Sequence, residues 1–140
     1  MKIGEGAAAV VYKAQYKYTD VAVKKLKAQN LIINNKLSLE FQREIEALTK
    51  ICHPNLVLFM GTSVDQGHPV IVTEFCHGGT LFEVLHEKKK SLPRISWTQR
   101  RKMMLDIAKG MHFMHALDPP LMHRDLKSLN ILLSEKIEGP

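Results

Sequence analysis

The sequence predicts an α+β fold, in which a small antiparallel β lobe with one helix is followed by the beginning of a helical lobe. Short runs rich in valine and isoleucine dominate the chain up to about residue 76, and helical patterns dominate the rest. The pair Gly78-Gly79 breaks regular structure between the two parts. We therefore expect residues 1–76 to form the β lobe and residues 77–140 to form the helical part.

Four runs in the first part have the β-branched and apolar content of strands. They are Ala7–Tyr12, Asp20–Leu26, Leu56–Met60 and Val70–Phe75. The turn between the last two contains Gly67 and Pro69, and a loop rich in asparagine is expected at Gln29–Lys36.

One helix is predicted in the β lobe, with Ser38 as its N-cap. Phe41, Ile45 and Leu48 recur at helical spacing and mark its buried face. Glu44 lies on the same face, where a carboxylate needs a partner because burying an unpaired charge is costly.

Two capping boxes predict helices in the second part. Thr80 and Glu83 begin a short helix that reaches about His86, and Ser96 and Gln99 begin a long one. The long helix ends before the two consecutive prolines at 119 and 120, which cannot continue it. One face of this helix is expected to be buried. Its residues are Trp97, Met104, Ile107, Met111 and Met114.

Composition indicates a globular protein that does not bind nucleic acid. Hydrophobic residues make up 45% of the 140 residues and charged residues 24%, which is typical of a folded domain. The net charge of +6 is not concentrated in one long block. The short basic runs Lys88–Lys90 and Arg100–Lys102 have no interleaved aromatic residues on which bases could stack, so we interpret them as solvated surface.

The sequence also predicts a soluble, cytoplasmic protein. The first residues lack the apolar core of a signal peptide, and no apolar run approaches the length that spans a membrane. Cys52 and Cys76 do not have the spacing of zinc ligands, so we interpret them as reduced, buried thiols. The sequence does not indicate an oligomeric state.

The run His123–Asn130 is the most specific motif in the chain. An aspartate followed five positions later by an asparagine can place a proton acceptor and a metal ligand at the two ends of one tight loop. The run matches H-R-D-L-x-x-x-N and resembles the catalytic loop of a protein kinase. The resemblance implies that Asp125 accepts the proton of the attacking hydroxyl, that Asn130 binds Mg²⁺, and that Lys127 lies beside the transferred phosphate.

Gly4-Glu5-Gly6 resembles the start of the glycine-rich turn G-x-G-x-x-G-x-V of the same family. Ala9 stands at the third glycine position and Val11 at the valine position. Such a turn lets backbone N–H groups approach phosphates closely. Taken alone, Gly4 and Gly6 are explained equally well by an ordinary β-turn.

Val21–Lys24 resembles the strand motif V-A-I-K, whose lysine holds the α- and β-phosphates and pairs with a helical glutamate. Taken alone, Lys24 is better explained as a lysine on an edge strand. Glu44, twenty positions later on the apolar face of the next helix, changes this weighting. Each of the two charges would offset the desolvation of the other, so we expect them to pair.

Thr73–Cys76 follows a predicted strand and resembles the hinge between the two lobes of a kinase. The resemblance implies that Thr73 is the gatekeeper and that backbone groups of Glu74 and Cys76 bind the adenine edge. The apolar residues that it places around the adenine ring are Val11, Ala22 and Leu132. Each of these three also fits an ordinary core position.

These motifs occur in the order expected for a eukaryotic-type protein kinase domain, and the chain resembles its first half, most like the tyrosine-kinase-like serine/threonine group. The resemblance implies that ATP, with Mg²⁺, lies between the two lobes and donates phosphate to serine or threonine of a protein substrate. No Asp-Phe-Gly sequence occurs in the chain, so we expect an incomplete, truncated domain that lacks one metal ligand. The alternative is a non-catalytic fragment that binds a nucleotide or a partner.

Overall fold

A computed structural model describes residues 1–27, 32–33, 36–86 and 95–137. The chain divides into two compact units. The first contains Met1–Cys52 and Val57–Phe75, and the second contains His53–Leu56 and Cys76–Pro140. Strands predominate in the first unit and helices in the second, which confirms the predicted α+β fold.

The first unit is built on one five-stranded antiparallel sheet. Its strands are β1 (Lys2–Glu5), β2 (Ala9–Tyr16), β3 (Thr19–Leu26), β6 (Phe59–Asp65) and β7 (His68–Glu74). They lie in the order β1-β2-β3-β7-β6. Two short strands, β4 (Ile32–Ile33) and β5 (Lys36–Leu37), pair with each other within the segment that was predicted to be a loop.

The hairpin of β2 and β3 extends further than the sequence pattern predicted. Lys17 and Tyr18 both adopt positive φ, which is the geometry of a two-residue hairpin turn. Pairing therefore continues as far as Tyr16 and Thr19. The predicted end of the strand at Tyr12 is wrong, because the residues that follow it continue to pair with β3 as far as Tyr16.

The hairpin of β6 and β7 also differs from the prediction. Its turn consists of Gln66 and Gly67, both with positive φ, and Pro69 lies inside β7 opposite Val64. Proline has no N–H to donate to a neighbouring strand. It is tolerated here because the pairing of β7 with β3 begins one residue later, at Val70.

Helix α1 (Leu39–Thr49) begins as predicted after Ser38, whose side chain accepts a hydrogen bond from the Phe41 N–H at 3.3 Å. Phe41 is 0% exposed, and Ile45 and Leu48 are half-buried, which confirms the predicted face. The helix contacts β6. Complete burial of a phenylalanine side chain stabilises a fold by roughly 1.5–3 kcal/mol, so burial of Phe41 helps to hold α1 in the first unit.

The second unit contains helices α2 (Leu81–His86) and α3 (Trp97–His115), and both predicted capping boxes are present. The Thr80 N–H donates to Glu83 Oε2 at 2.7 Å, and the Glu83 N–H donates to Thr80 Oγ1 at 3.2 Å. Ser96 and Gln99 exchange the same two bonds at the start of α3. The loop predicted between the helices falls on residues 87–94, which lie outside the described residues.

The predicted buried face of α3 is correct for its C-terminal half alone. Met114 is buried, and Ile107 and Met111 are half-buried, but Trp97 is 77% exposed and Met104 is 58% exposed. Trp97 lies instead against the guanidinium of Arg100, 5.7 Å from its ring centre. Helical periodicity identified the apolar side chains, but it could not show how far along α3 a neighbouring segment covers them.

The described helices include none that is long and apolar enough to cross a membrane. Cys52 and Cys76 are not joined by a disulfide. Cys52 is exposed and Cys76 is half-buried, so the prediction that both thiols are buried is wrong. Cys52 follows the end of α1, where the chain has left the apolar face of the helix.

Helix α3 packs against the segment His53–Leu56 at Gly110. A Cβ atom added to Gly110 would lie 2.9 Å from the carbonyl oxygen of Asn55. The rings of His53 and Phe113 lie nearby, with their centroids 5.0 Å apart. This close contact explains why a segment from the middle of the chain belongs to the second unit.

We predict that Gly110→Leu lowers the free energy of unfolding by about 1–3 kcal/mol, because the added side chain meets backbone atoms that cannot move independently. Urea unfolding followed by circular dichroism measures the change. The matched control is Ala108→Leu, since Ala108 is an exposed position on the same helix. Equal unfolding midpoints for the two variants would contradict the packing of α3 at Gly110.

Candidate active site

Asp125 is the centre of a hydrogen-bonded group in the second unit. Its Oδ1 atom pairs with Lys127 Nζ at 2.8 Å, and its Oδ2 atom accepts a hydrogen bond from Asn130 Nδ2 at 2.8 Å. The same amide nitrogen donates to the backbone oxygen of Asp125 at 2.8 Å. The structure therefore brings the three predicted catalytic residues into direct contact.

The backbone of the loop places these side chains. Arg124 has a φ of 62°, a left-handed conformation that is costly for a residue with a Cβ and that clusters at functional sites. Beside it, His123 Nδ1 accepts a hydrogen bond from the Asp125 N–H at 3.3 Å. Ser128–Asn130 then form a 3-10 helix. Its tight winding turns Asn130 back toward Asp125.

Lys127 and Asn130 hold the pKa of the Asp125 carboxyl below the ordinary value of an aspartate. The hydrogen bond from Lys127 has the larger effect, and both donors favour the ionised form. The Asp125 side chain is 62% exposed. Asp125 is therefore a carboxylate at neutral pH that a molecule in solution can reach.

Asn130 has one oxygen left for a metal ion. Its two hydrogen bonds to described residues are both donated by Nδ2, so Oδ1 accepts none from the described residues. An amide oxygen is a hard ligand of the kind that Mg²⁺ takes, usually together with carboxylate and phosphate oxygens. Within the described ranges, no group of three or more His, Cys, Asp or Glu side chains could hold an ion by itself. The loop therefore offers the Asn130 Oδ1 atom as one hard oxygen ligand for a divalent metal ion.

Four predicted nucleotide-binding residues share one face of the five-stranded sheet. Val11 pairs directly with Lys24, and Ala22 pairs directly with Thr73. Residues that oppose each other on antiparallel strands project from the same face, as do residues two apart in one strand. Val11 and Ala22 are half-buried and Lys24 is exposed. This face therefore has small apolar side chains next to an ammonium group.

The glycine-rich turn begins later than predicted. Gly4 and Glu5 belong to β1, and the exposed turn consists of residues 6–8. The Gly6 N–H donates to the Ala9 carbonyl oxygen at 2.9 Å and closes the turn. Gly4 is therefore a strand residue, because the pairing of β1 with β2 continues past it.

Glu5, at the end of β1, forms an ion pair with the residue that follows β3. No sequence motif indicated this interaction. The Glu5 carboxylate pairs with Lys2 and, at 2.6 Å, with Lys27. Hydrogen bonds from these two ammonium groups lower the pKa of Glu5 to about 2. Lys27 lies just beyond the end of β3, far from Glu5 in the sequence, so local pattern could not reveal the pair.

The predicted ion pair between Lys24 and Glu44 stays a prediction. Lys24 lies in β3, and Glu44 lies in α1, the helix that was expected to carry it. The side chain of Glu44 is outside the described residues.

Glu74 ends β7 and is held there by its own side chain. Its N–H donates to the Leu58 carbonyl oxygen at 3.0 Å, and its Oε1 atom accepts from the Leu58 N–H at 2.7 Å. Thr73 Oγ1 donates to the carbonyl oxygen of Glu74 at 3.1 Å. The sequence motif indicated a role for the Glu74 backbone but none for its carboxylate. The partner of that carboxylate, Leu58, lies 16 residues earlier in the chain, beyond the reach of a local motif. The chain passes into the second unit at Cys76.

Leu132 lies in a stretch that runs antiparallel to the residues that follow Cys76. It forms a β-bridge with Thr80 in the second unit. Its side chain is 42% exposed, so apolar surface remains available to a ligand. The sequence did not predict this pairing, since the two segments are far apart in the chain.

Comparison with known proteins places these features in a family. The family model described as protein tyrosine and serine/threonine kinase matches residues 1–138. A Dictyostelium discoideum protein named as a probable serine/threonine-protein kinase is 42% identical over 132 residues, which is 94% of this chain and 12% of that protein. The serine/threonine-protein kinase CTR1 of Arabidopsis thaliana is 39% identical over 135 residues, 96% of this chain and 16% of that protein. The interleukin-1 receptor-associated kinase 1 of Bos taurus is 36% identical over 137 residues, 98% of this chain and 19% of that protein.

The chain spans less than a fifth of the length of each of these three relatives. The family match nonetheless covers nearly all of the chain, including the sheet, both capped helices and the loop around Asp125. The family predicted from the sequence motifs is thereby confirmed. The chain belongs to the protein tyrosine and serine/threonine kinase family.

Proposed function

We propose that this chain acts in an ATP-dependent protein serine/threonine kinase, which transfers the terminal phosphoryl group of ATP to a hydroxyl group of a protein substrate. The observation that carries the proposal is the contact of Asp125 with Lys127 and Asn130, each at 2.8 Å. A carboxylate that can accept a proton and an amide oxygen that can bind a metal ion are two of the groups that protein kinases use in phosphoryl transfer, and here they lie in one exposed loop beside an ammonium group. The relatives named as serine/threonine kinases support this class of substrate.

In the proposed reaction, Asp125 orients the substrate hydroxyl and takes its proton. A bond forms between the hydroxyl oxygen and the terminal phosphorus, the bond from that phosphorus to the bridging oxygen breaks, and ADP leaves. Lys127 lowers the basicity of Asp125 while the two are paired. An anionic phosphoryl group nearby would attract the Lys127 ammonium away from Asp125. The carboxylate would then become a stronger base at the stage when it must accept the proton.

Asn130 is the proposed metal ligand of this chain. Its Oδ1 atom is oriented by the two hydrogen bonds that Nδ2 donates to Asp125. Bound Mg²⁺ neutralises negative charge on the phosphate oxygens of the nucleotide. Asp125 therefore has two proposed tasks: it accepts the substrate proton and it holds the metal ligand in position.

Most of the proposed nucleotide-binding residues of the first unit lie on the sheet face of Val11 and Lys24 or at the end of β7, whereas Gly4 lies in β1 and Gly6 in the turn that follows it. Lys24 would bind the α- and β-phosphates and pair with Glu44. The other proposed contacts of ATP are Gly4, Gly6, Val11, Ala22, Thr73, the backbone of Glu74 and Cys76, and Leu132. We propose that the first unit is the N-terminal lobe of the kinase and that the second unit is part of its C-terminal lobe.

A non-catalytic role in binding a nucleotide or a partner is the alternative for the 140 residues taken alone. The observation that favours it is that the sequence contains no Asp-Phe-Gly, whose aspartate binds Mg²⁺ in protein kinases. Binding of ATP without phosphoryl transfer, even by a polypeptide extended through an Asp-Phe-Gly and the rest of a helical lobe, would indicate this alternative. We also propose an intracellular location, because ATP is supplied there and unlinked cysteines fit a reducing compartment.

We predict that the 140-residue chain binds ATP but transfers phosphate poorly, because Asn130 supplies one of the two usual protein ligands of the metal. A polypeptide extended through an Asp-Phe-Gly and the rest of a helical lobe should be active. A radiolabelled-ATP assay on a generic serine/threonine substrate compares the two. Equal turnover by both polypeptides would show that the metal needs no second ligand.

In the extended polypeptide, Asp125→Asn should reduce phosphoryl transfer by about 10²–10⁴-fold, the usual contribution of a positioned base. The affinity for ATP should change little, because an asparagine keeps the size of the side chain. Asp106→Asn is the matched control, since Asp106 pairs with Lys102 on α3 at 2.7 Å. An Asp125→Asn variant that transfers phosphate as fast as this control would rule out Asp125 as the base.

Lys127→Ala should raise the pKa of Asp125 toward the ordinary aspartate value of about 3.9, because the strongest donor to the carboxylate is removed. A lowered pKa in the folded state stabilises the fold above the ordinary pKa, and this contribution is lost as the pH falls through the lowered value. The variant should therefore protonate Asp125 at a higher pH. Carbon-13 NMR of the carboxyl carbon measures the titration. Lys102→Ala, which removes an ion pair of similar length from α3, should leave it unchanged.

A further inference from the structure

The segment after the hinge and the segment after the catalytic loop are joined by a ladder of backbone hydrogen bonds. We call these bonds, between His77–Leu81 and Ile131–Ser134, the loop ladder. The donors and acceptors are His77 to Ser134 (3.1 Å), Gly78 to Leu133 (2.8 Å), Leu133 to Gly79 (2.9 Å) and Leu81 to Ile131 (2.8 Å). Thr80 and Leu132 form the bridge between the inner pairs. The loop ladder lies wholly within the second unit.

The two segments leave no room for a side chain at Gly78. A Cβ atom at this position would lie 2.1 Å from the carbonyl oxygen of Glu135 and 2.5 Å from Cβ of Leu133. Both distances are shorter than any contact that a real Cβ atom makes, and one of the atoms belongs to the backbone. Any side chain at residue 78 therefore has to push the segment after Leu132 away.

Residue 78 is a glycine because there is no room for a side chain, and not because its backbone conformation excludes other residues. Gly79 has a φ of 75°, where glycine is favoured over other residues. Gly78 is not among the glycines with positive φ. Alanine could adopt its backbone geometry, so a substitution there tests the close approach alone.

The loop ladder fixes both ends of the proposed site in the second unit. Ile131, which accepts the bond from Leu81, directly follows Asn130, the proposed metal ligand. Leu132, the proposed contact of the adenine ring, is the next residue. Leu81 is itself held at the start of α2 by the capping box of Thr80 and Glu83. A shift of the ladder would move Asn130 and Leu132 together.

We infer that Gly78 is a positioning residue for nucleotide binding, because its lack of a side chain sets the register of Asn130 and Leu132 against the segment after the hinge. This inference rests on the proposed function. Gly78 contacts no substrate and acts through the loop ladder alone. Displacements of about 1 Å in a binding site can cost roughly 100-fold in rate, so a shift forced by one methyl group is large enough to matter.

The test compares Gly78→Ala with Gly110→Ala in the 140-residue chain. Gly110 is also tightly packed, with an added Cβ 2.9 Å from Asn55, but it lies on α3 and outside the loop ladder. Calorimetric titration with ATP and Mg²⁺ gives the affinity, and NMR hydrogen exchange gives the protection of the Leu81 and Leu133 amides. Gly78→Ala should weaken ATP binding by about 10-fold or more and lose protection at both amides. Gly110→Ala should retain both properties.

A Gly78→Ala variant with unchanged protection at Leu81 and Leu133 would overturn the inference, as would unchanged affinity in a chain that binds ATP. The exchange measurement needs no nucleotide. If the unsubstituted chain binds no ATP, the proposed function and the role of Gly78 in nucleotide binding are both contradicted, and exchange then shows only whether Gly78 holds the loop ladder in register.

Leu81→Pro provides a second variant in case Gly78→Ala does not fold. Leu81 is the first residue of α2, where proline is well tolerated, and proline lacks the N–H that bonds to Ile131. We expect this variant to fold, to lose protection at Leu133 and to bind ATP more weakly. This variant adds no atom at residue 78. Unchanged protection of the Leu133 amide and unchanged affinity for ATP in Leu81→Pro would therefore also overturn the inference.

Discussion

The backbone hydrogen bond from Leu81 to Ile131 links two segments of the second unit, the start of α2 and the stretch that follows Asn130. On one side it continues into the capped start of α2, and on the other it continues into the 3-10 helix that ends at Asn130. The contact of Asn130 with Asp125 depends on where that helix ends. These backbone bonds do not depend on side-chain identity, but the close approach of the two segments leaves no room for a side chain at residue 78.

A comparable constraint acts in the first unit through the register of the sheet. Val11 and Ala22 share a face with Lys24 and Thr73 because β2, β3 and β7 pair in one particular register. A slip of one residue would send the side chains of a strand to the opposite face. The tight turn at Lys17 and Tyr18 holds this register at one end, and the ion pair of Glu5 with Lys27 holds the other.

Much of the fold and of the site could be predicted, since the relevant interactions are local. The capping boxes at Thr80 and Ser96 involve residues three apart, and Asp125 and Asn130 are five apart within one loop. The sequence prediction was wrong where the burial of a side chain depends on which other segment packs against its helix. Trp97 belongs to an apolar stripe, but no described segment covers that end of α3, so it is exposed.

The sequence by itself determined the family, the order of the four longest strands and of helices α1, α2 and α3, and the side chains that meet around Asp125, because short-range geometry follows from residue type and spacing. The tertiary structure alone decided three things: the pairing of Glu5 with Lys27, the bond from Leu58 to the Glu74 carboxylate, and the close approach of Gly78 to Glu135. Each joins residues that are distant in the chain. Their meeting depends on how strands and segments are packed, and packing is a property of the whole fold and not of any local pattern.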